Sequence, residues 1–180
     1  MSVDALKSAL PGYAKDTKLN LGSLTSTSQL TDQQLWGTVL ACAFATRSAV
    51  VLRELAEDAA DHLSAEAFEA AKGAASIMAM NNVYYRATHL IGDDAYATLP
   101  AKLRMSIIGR PGVDKLDFEL WCLAVSAVNG CGRCLESHEK VLRDGGLSRE
   151  LIQEALRLAA VVNATAATLD AEAVLAPAGV

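Results

Sequence analysis

The strongest constraint on the fold is an excess of Ala and Leu, arranged in stretches with helical spacing and separated by short breaks that contain Gly or Pro. Hydrophobic residues make up 52% of the 180 positions, but aromatic residues only 5%. Ala has the highest helix propensity and lets helices pack closely, whereas a sheet protein needs many Val, Ile, Thr and aromatic residues. The sequence therefore predicts an all-α fold, a compact helical bundle.

Helix start and stop signals divide the chain into segments. Thr31 with Gln34 has the pattern of a capping box, Ser64 and Ser148 are candidate N-caps, and Asn129-Gly130 suits a left-handed helix end. The predicted helices cover about residues 3–9, 16–21, 32–46, 49–61, 65–86, 114 or 117 to 129, 131–143 and 149–174, with short helical pieces and turns over 91–115 and a frayed tail over 175–180.

A weak internal similarity suggests how the bundle is built. Leu35-Trp36 and Leu120-Trp121 match at an offset of 85, and Leu63-Ser64 and Leu147-Ser148 match at an offset of 84. Each pair precedes an apolar or Ala-rich helix, so we expect one domain over 1–180 with an internal repeat of about 31–90 and 115–175. The alternative is a chance alignment of Ala-rich helices.

Charge and hydropathy exclude some classes of partner. The net charge of -5, the pI near 5.2 and the lack of a Lys/Arg cluster argue against nucleic-acid binding. The longest strongly apolar stretches, such as 120–129 and 158–162, are shorter than the roughly 20 residues that span a bilayer. The start, residues 1–7, has neither a basic leader nor an apolar signal core, so we expect a cytoplasmic location.

The four cysteines divide into two kinds. Cys42 and Cys122 lie in apolar runs, where the usual role is that of a small buried hydrophobe. Cys131 and Cys134 stand among polar and Gly residues instead. A structural disulfide framework is not expected in a reducing compartment, so the second pair directs attention to chemistry.

Cys131, Cys134 and His138 fall on one face of a predicted helix, because residues three and four apart share a face. Two thiols at this spacing can close a disulfide with little backbone movement. The N–H groups at the helix start favour a thiolate at Cys131, an imidazolium at His138 favours one at Cys134, and Arg133 adds positive charge. These opposing effects do not decide which cysteine attacks first.

Glu119 is a candidate partner for the imidazole. It lies twelve residues before Cys131, which an unbroken helix would place about 18 Å away. If the chain reverses at Asn129-Gly130, Glu119 comes toward His138, where a carboxylate would orient the imidazole and pass protons. The alternative is that Glu119 solvates a helix start near Asp117.

These residues carry a resemblance. The pattern Glu119, eleven residues, Cys131-x-x-Cys134-x-x-x-His138 resembles the alkyl hydroperoxidase D (AhpD) family, within the carboxymuconolactone decarboxylase-like superfamily. The likeness extends over the chain and includes Asn20-Leu21, Leu35-Trp36-Gly37-Thr38, Met80-Asn81-Asn82-Val83-Tyr84-Tyr85-Arg86 and Phe118-Glu119-Leu120-Trp121.

The resemblance implies an all-helical, homotrimeric protein of antioxidant defence that keeps a peroxiredoxin of the alkyl hydroperoxide reductase C type reduced. It implies electrons from a dihydrolipoyl group, supplied by a lipoyl-bearing acyltransferase and dihydrolipoamide dehydrogenase, and a weak peroxidase activity. Cys134 would meet the substrate, Cys131 would resolve the intermediate, and Glu119 and His138 would form a proton relay. Arg133 departs from the family, which often has His there, and Arg exchanges no proton near neutral pH.

Two other readings remain open. Two cysteines and a histidine are zinc ligands in many proteins, but the other histidines, His62 and His89, are isolated and no fourth ligand is evident. A lactone decarboxylase or a structural protein on the same scaffold would need no vicinal thiols. The sequence lacks a Gly-rich phosphate loop after a strand, so no tightly bound cofactor is expected. Residues 77–80 and 84–85 are predicted to be core or subunit interface.

Overall fold

A computed structural model describes residues 3–24 and 28–176, and within these ranges the regular structure is helical, with no β-strand. The prediction of an all-α bundle is therefore confirmed. The helices are α1 (Val3–Ala9), α2 (Lys15–Ser23), α3 (Asp32–Thr46), α4 (Ala49–His62), α5 (Ala65–Ile91), α6 (Asp94–Thr98), α7 (Ser106–Gly109), α8 (Lys115–Val128), α9 (Gly132–Asp144) and α10 (Arg149–Leu175), with a short 3-10 turn at Gly12–Ala14.

Polar caps set the helix starts that the sequence indicated. The Thr31 hydroxyl accepts a hydrogen bond from the Gln34 backbone N–H, and the Gln34 side chain accepts one from the Thr31 N–H, which completes the capping box. At the starts of α5 and α10, the hydroxyls of Ser64 and Ser148 each accept a hydrogen bond from the backbone N–H three residues on. At α8 the Asp114 carboxylate accepts from two backbone N–H groups, so α8 begins at Lys115.

One helix is longer than predicted. The expected end of α5 near Tyr85 or Arg86 is wrong, since the helix continues to Ile91 and stops only where Gly92 takes a left-handed conformation with φ of 71°. No residue between Arg86 and Gly92 opposes the helix strongly, and a left-handed Gly is a common helix stop. The predicted fraying concerns mainly residues 177–180, which lie outside the described residues.

Helices α3 and α8 form the centre of the bundle. They pack against each other, and each is buried along most of its length between α5 and α10. The close approach depends on Gly37, because a Cβ at this position would lie 2.2 Å from the indole ring of Trp121. The Trp121 side chain is fully buried and fills this contact.

The helices fall into two comparable groups of three. The helices α3, α4 and α5 have 15, 14 and 27 residues, and α8, α9 and α10 have 14, 13 and 27. Helix α3 packs on α4, α5 and α10, while α8 packs on α9, α10 and α5. A duplicated unit would produce this arrangement, and the single domain with an internal repeat stays a prediction.

Helix α10 differs from the expectation about apolar segments. By length and composition it is able to cross a bilayer, and it is the only such helix among the described residues. The sequence prediction considered only unbroken apolar stretches, and polar residues scattered through α10 interrupt such a stretch. One third of its most apolar 18-residue window is buried within the molecule, and its buried side chains pack against α3 and α8.

Candidate active site at the start of helix α9

The turn between α8 and α9 places the two cysteines. Gly130 adopts a left-handed conformation with φ of 67°. The Cys131 N–H donates to the Ser126 carbonyl at 3.0 Å, and the Gly130 N–H donates to the Ala127 carbonyl at 3.1 Å. These two bonds form a Schellman motif, which ends α8 and reverses the chain. The predicted left-handed position after Asn129 is therefore confirmed.

Cys131 is the N-cap residue of α9. Its sulfur accepts a hydrogen bond from the Cys134 backbone N–H at 3.3 Å, the position that a Ser or Asp side chain takes in an ordinary cap. Cys131 and Cys134 are joined by a disulfide, with their Cα atoms 5.3 Å apart. The helix start thus holds both sulfurs, as the three-residue spacing predicted.

The two sulfurs differ in their surroundings. Cys131 is fully buried, whereas Cys134 is 6% exposed and lines a cleft of about 430 Å³. The cleft is formed by α5, α8 and α9 with the segment before α8, and its lining residues are Met78, Asn81, Tyr85, Met105, Ile108, Glu119, Arg133, Cys134, Ser137, His138 and Val141. A small molecule entering the cleft therefore meets Cys134 and not Cys131.

Glu119 and His138 are brought together across the reversal. The Glu119 carboxylate lies 2.6 Å from Nδ1 of His138, and both side chains are buried. The Lys115 ammonium, one helical turn before Glu119, lies 3.2 Å from the second carboxylate oxygen. The alternative in which Glu119 solvates a helix start does not hold, because the residue is only 3% exposed.

The charge state of Glu119 follows from these contacts. Burial alone would raise the pKa of its carboxyl group. The hydrogen bond and charge of His138, together with those of Lys115, outweigh burial and hold this pKa below its usual value of 4.5. An ionised carboxylate at neutral pH accepts the hydrogen on Nδ1 of His138, which leaves Nε2 directed to other partners.

Nε2 of His138 contacts a residue that the sequence did not assign to the site. The Met78 thioether sulfur lies 3.3 Å from this nitrogen. The same sulfur accepts hydrogen bonds from the Ser126 hydroxyl at 3.5 Å and from the Asn82 amide nitrogen at 3.7 Å. Met78 lies on α5 and was predicted to be core or interface. It is buried, as expected of core, and it also lines the cleft.

A hydrogen-bond network ties α5 to the turn before the cysteines. The Asn82 amide donates to the Ser126 hydroxyl at 2.9 Å, and the Asn129 amide donates to the Asn82 carbonyl oxygen at 3.0 Å. The Arg86 guanidinium donates to the Asn129 backbone carbonyl. Because the last turn of α8 and the residue that follows it are bonded to α5, this helix holds the chain in place just before the disulfide.

Arg133 stands at the edge of the site. Its exposed side chain lines the cleft and also a smaller adjoining hollow of about 160 Å³ with Tyr84, Tyr85 and Tyr96. At this position a guanidinium supplies a fixed positive charge beside Cys134 and no exchangeable proton near neutral pH. Its predicted role as an electrostatic support stays a prediction.

The remaining cysteines and histidines lie apart from this chemistry. Cys42 and Cys122 are fully buried, as predicted, and burial raises the pKa of both thiols. His62 stacks on Trp36, and His89 is exposed near the end of α5. Within the described ranges, no group of three or more His, Cys, Asp and Glu side chains is arranged to hold a metal ion.

An all-helical bundle that carries a disulfide at a helix start, beside a buried carboxylate–imidazole pair, defines a helical dithiol protein. Comparison with known proteins specifies the group. A profile of the carboxymuconolactone decarboxylase family matches residues 94–177, which contain α8, α9 and most of the site.

Relatives named alkyl hydroperoxide reductase AhpD match nearly the whole chain. The relative from Streptomyces griseus is 65% identical over 176 residues, which cover 98% of this chain and 99% of the relative. Those from Azorhizobium caulinodans and Mycolicibacterium paratuberculosis are 60% and 59% identical, covering 95% and 99% of this chain and 94% and 100% of the relatives. The chain therefore belongs to the AhpD family of the carboxymuconolactone decarboxylase-like superfamily, and the resemblance noted in its sequence is confirmed.

Proposed function

We propose that this chain is a thiol–disulfide oxidoreductase that reduces alkyl hydroperoxides in antioxidant defence. One observation carries the proposal: Cys134 lines a cleft together with His138 and Glu119, while its disulfide partner Cys131 is sealed behind it. The names of the relatives, alkyl hydroperoxide reductase, support the same reaction.

In the first step the Cys134 thiolate attacks the terminal oxygen of the hydroperoxide, the one that carries the hydrogen. The O–O bond breaks, an S–O bond forms, and the sulfur becomes a sulfenic acid while the substrate leaves as an alkoxide. The alkoxide takes a proton and becomes the alcohol. Cys134 is the attacking residue because it is the cysteine that faces the cleft.

In the second step Cys131 attacks the sulfur of Cys134. The S–O bond breaks, hydroxide leaves and becomes water with the proton of the Cys131 thiol, and the disulfide forms. The 5.3 Å Cα separation permits this closure without rearrangement of α9. The buried position of Cys131 suits a resolving residue, since it needs to reach only Cys134.

Glu119 and His138 serve as the proton relay. The Glu119 carboxylate accepts the hydrogen on Nδ1, so Nε2 is the nitrogen that takes the proton of the Cys134 thiol. The same proton is then available to the departing alkoxide. Arg133 adds positive charge that favours the thiolate.

The cycle closes by reduction of the disulfide. A dihydrolipoyl thiolate attacks Cys134 and forms a mixed disulfide, and the second lipoyl thiol displaces Cys134 as the lipoyl ring closes. The donor is a lipoyl-bearing acyltransferase served by dihydrolipoamide dehydrogenase. The reduced pair in turn reduces the disulfide of a peroxiredoxin of the alkyl hydroperoxide reductase C type, which reaches Cys134 through the same opening.

We further propose a cytoplasmic homotrimer without a tightly bound cofactor. The cycle requires a reduced dithiol, which a reducing compartment maintains. Exposed apolar side chains cluster in sequence near the end of α5 and around α6, and such residues favour a subunit interface. They are Val83, Leu90, Ile91, Tyr96 and Leu99.

The test supplies dihydrolipoamide and an oxidised peroxiredoxin separately and together, and follows the oxidation state of Cys131 and Cys134 by mass. We expect continuous turnover only when both are present, and slow turnover when an alkyl hydroperoxide replaces the peroxiredoxin. Failure of dihydrolipoamide to open the disulfide would contradict the proposed donor. Failure of both oxidants to close it would contradict the function.

A further inference from the structure

One residue that lines the cleft has a buried side-chain oxygen without a hydrogen-bond partner in the described part of the chain. Within the described ranges, the buried side-chain atoms that make no hydrogen bond are Oδ1 of Asn81 and Nε1 of Trp121. Trp121 is fully buried in the packed contact with Gly37. Asn81 is 4% exposed and lines the cleft that Cys134 faces.

The neighbouring asparagine shows what a structural residue at this place does. Asn82 is equally buried, and its amide bonds Ser126 and Asn129. Its hydrogen-bonding groups hold the turn before the cysteines. The Asn81 side-chain oxygen makes no such bond, although an unsatisfied buried acceptor destabilises a fold. Such a cost persists in native proteins mainly where function requires the group.

Asn81 lies beside the sulfur of Cys134. The backbone carbonyl of Asn81 lies 4.0 Å from the Cys134 sulfur, so this residue forms the wall beside the reacting atom. In the disulfide form the Oδ1 atom is buried without a partner, and neither sulfur carries a hydrogen to donate. Once the disulfide is reduced, a substrate that enters the cleft beside Cys134 can bring the donor.

We propose that Oδ1 of Asn81 is a substrate-positioning acceptor, which takes the hydrogen bond of the hydroperoxide O–H as that group meets Cys134. The inference rests on the function proposed above. The hydrogen bond directs the terminal oxygen of the hydroperoxide toward the sulfur of Cys134. When the O–O bond breaks and the S–O bond forms, the same O–H becomes part of the sulfenic acid, so the bond to Asn81 is retained through the step.

A thiol S–H is a weaker donor, and a bond from it would favour the unreactive thiol over the thiolate. An O–H donor is therefore the better match to this acceptor. The consequence is a selectivity among oxidants. A hydroperoxide is assisted by Asn81, whereas a disulfide oxidant that carries no O–H reacts with Cys134 without this assistance.

The test oxidises the fully reduced protein with cumene hydroperoxide or with cystamine, a disulfide without O–H, and measures the rate constant for each in wild type and Asn81→Ala. We expect the ratio of the hydroperoxide rate to the cystamine rate to fall about tenfold in the variant, the value of one hydrogen bond of ordinary strength. The thermal midpoint of Asn81→Ala should equal or exceed that of wild type, whereas Asn82→Ala should be less stable because it loses bonds to Ser126 and Asn129.

An equal fall in both rate constants would assign Asn81 a structural role and overturn the inference, as would an unchanged hydroperoxide rate. These outcomes are distinct from failure of the proposed function. In that case the reduced wild-type protein would itself react with cumene hydroperoxide no faster than a free thiol of similar acidity.

Discussion

The Glu119 carboxylate on α8 lies 2.6 Å from Nδ1 of His138 on α9. This contact joins two helices that the turn at Gly130 places side by side, and the side chains of both residues are buried. A carboxylate at Nδ1 fixes the ring orientation and leaves Nε2, which lies against the Met78 thioether, as the nitrogen of the proposed proton relay.

Glu119→Gln keeps the size of the side chain and removes its charge. We expect the rate of hydroperoxide reduction to fall about 100-fold, the lower range for loss of acid–base assistance. The matched control is Asp117→Asn on the same helix. Asp117 is also buried but accepts hydrogen bonds from Gln33 and Gln34, so its replacement should lower stability and leave the chemical step nearly unchanged. Equal rate losses in the two variants would contradict a specific role for Glu119.

The lowered pKa of Glu119 predicts how stability depends on pH. A carboxyl group whose pKa is lower in the folded state stabilises the fold above its unfolded pKa, near 4.5, and loses this contribution as pH falls through its folded value. The difference in unfolding free energy between wild type and Glu119→Gln should therefore be full at neutral pH and shrink below pH 4.5. Urea titrations at several pH values measure it. A difference that grows on acidification would show the opposite sign of the pKa shift.

Met78→Leu tests the contact between the thioether and Nε2 of His138. Leu is similar in volume, so the cost in stability should stay below about 1.5 kcal/mol. Loss of the sulfur removes the contact at Nε2 while Glu119 still holds Nδ1, and we expect hydroperoxide reduction to slow severalfold, together with a changed ¹⁵N spectrum of the His138 ring. Met80→Leu is the control, because Met80 lies on the same helix but not in the cleft. Identical kinetics in both variants would remove Met78 from the site.

Two substitutions at Arg133 separate the effect of its charge from the effect of its shape. Arg133→Lys preserves the positive charge beside Cys134 and should keep substantial activity, whereas Arg133→Ala should lower the rate more, with a smaller loss at high salt. Measuring both rates at low and high ionic strength distinguishes the two effects. A loss in Arg133→Lys as deep as that of Cys134→Ser would indicate that the shape of the guanidinium is required.

The features predictable from sequence are those with local causes. The caps at Thr31, Ser64 and Ser148 act within one helical turn, so their positions follow from residue type. The placement of Cys131 and Cys134 together at the start of α9 also follows from their spacing within one helical turn. The approach of Glu119 to His138 was predictable only as a consequence of reversal at Gly130, a residue type that favours the left-handed conformation the turn uses.

The contributions of α5 had no local signal. Met78 and Asn81 reach the cleft from positions 60 and 53 residues before the groups they contact, through the packing of α5 on α8 and α9. In sequence they show only the apolar and amide pattern of a core helix. Helical spacing places them on a face but does not say which helix covers it, so Met78 was predicted to be core or interface and Asn81 was assigned no role in the site.

We propose that Cys134 is the sulfur that reacts first and that Cys131 closes the disulfide. The most direct measurement mixes one equivalent of cumene hydroperoxide with fully reduced wild type, Cys134→Ser, Cys131→Ser and the buried-thiol control Cys42→Ala, and follows each protein by intact mass. We expect loss of two hydrogens in wild type and Cys42→Ala, gain of one oxygen in Cys131→Ser, and no change in Cys134→Ser. A gain of oxygen in Cys134→Ser with none in Cys131→Ser would contradict this order of reaction, because it would place the reacting sulfur at the buried residue.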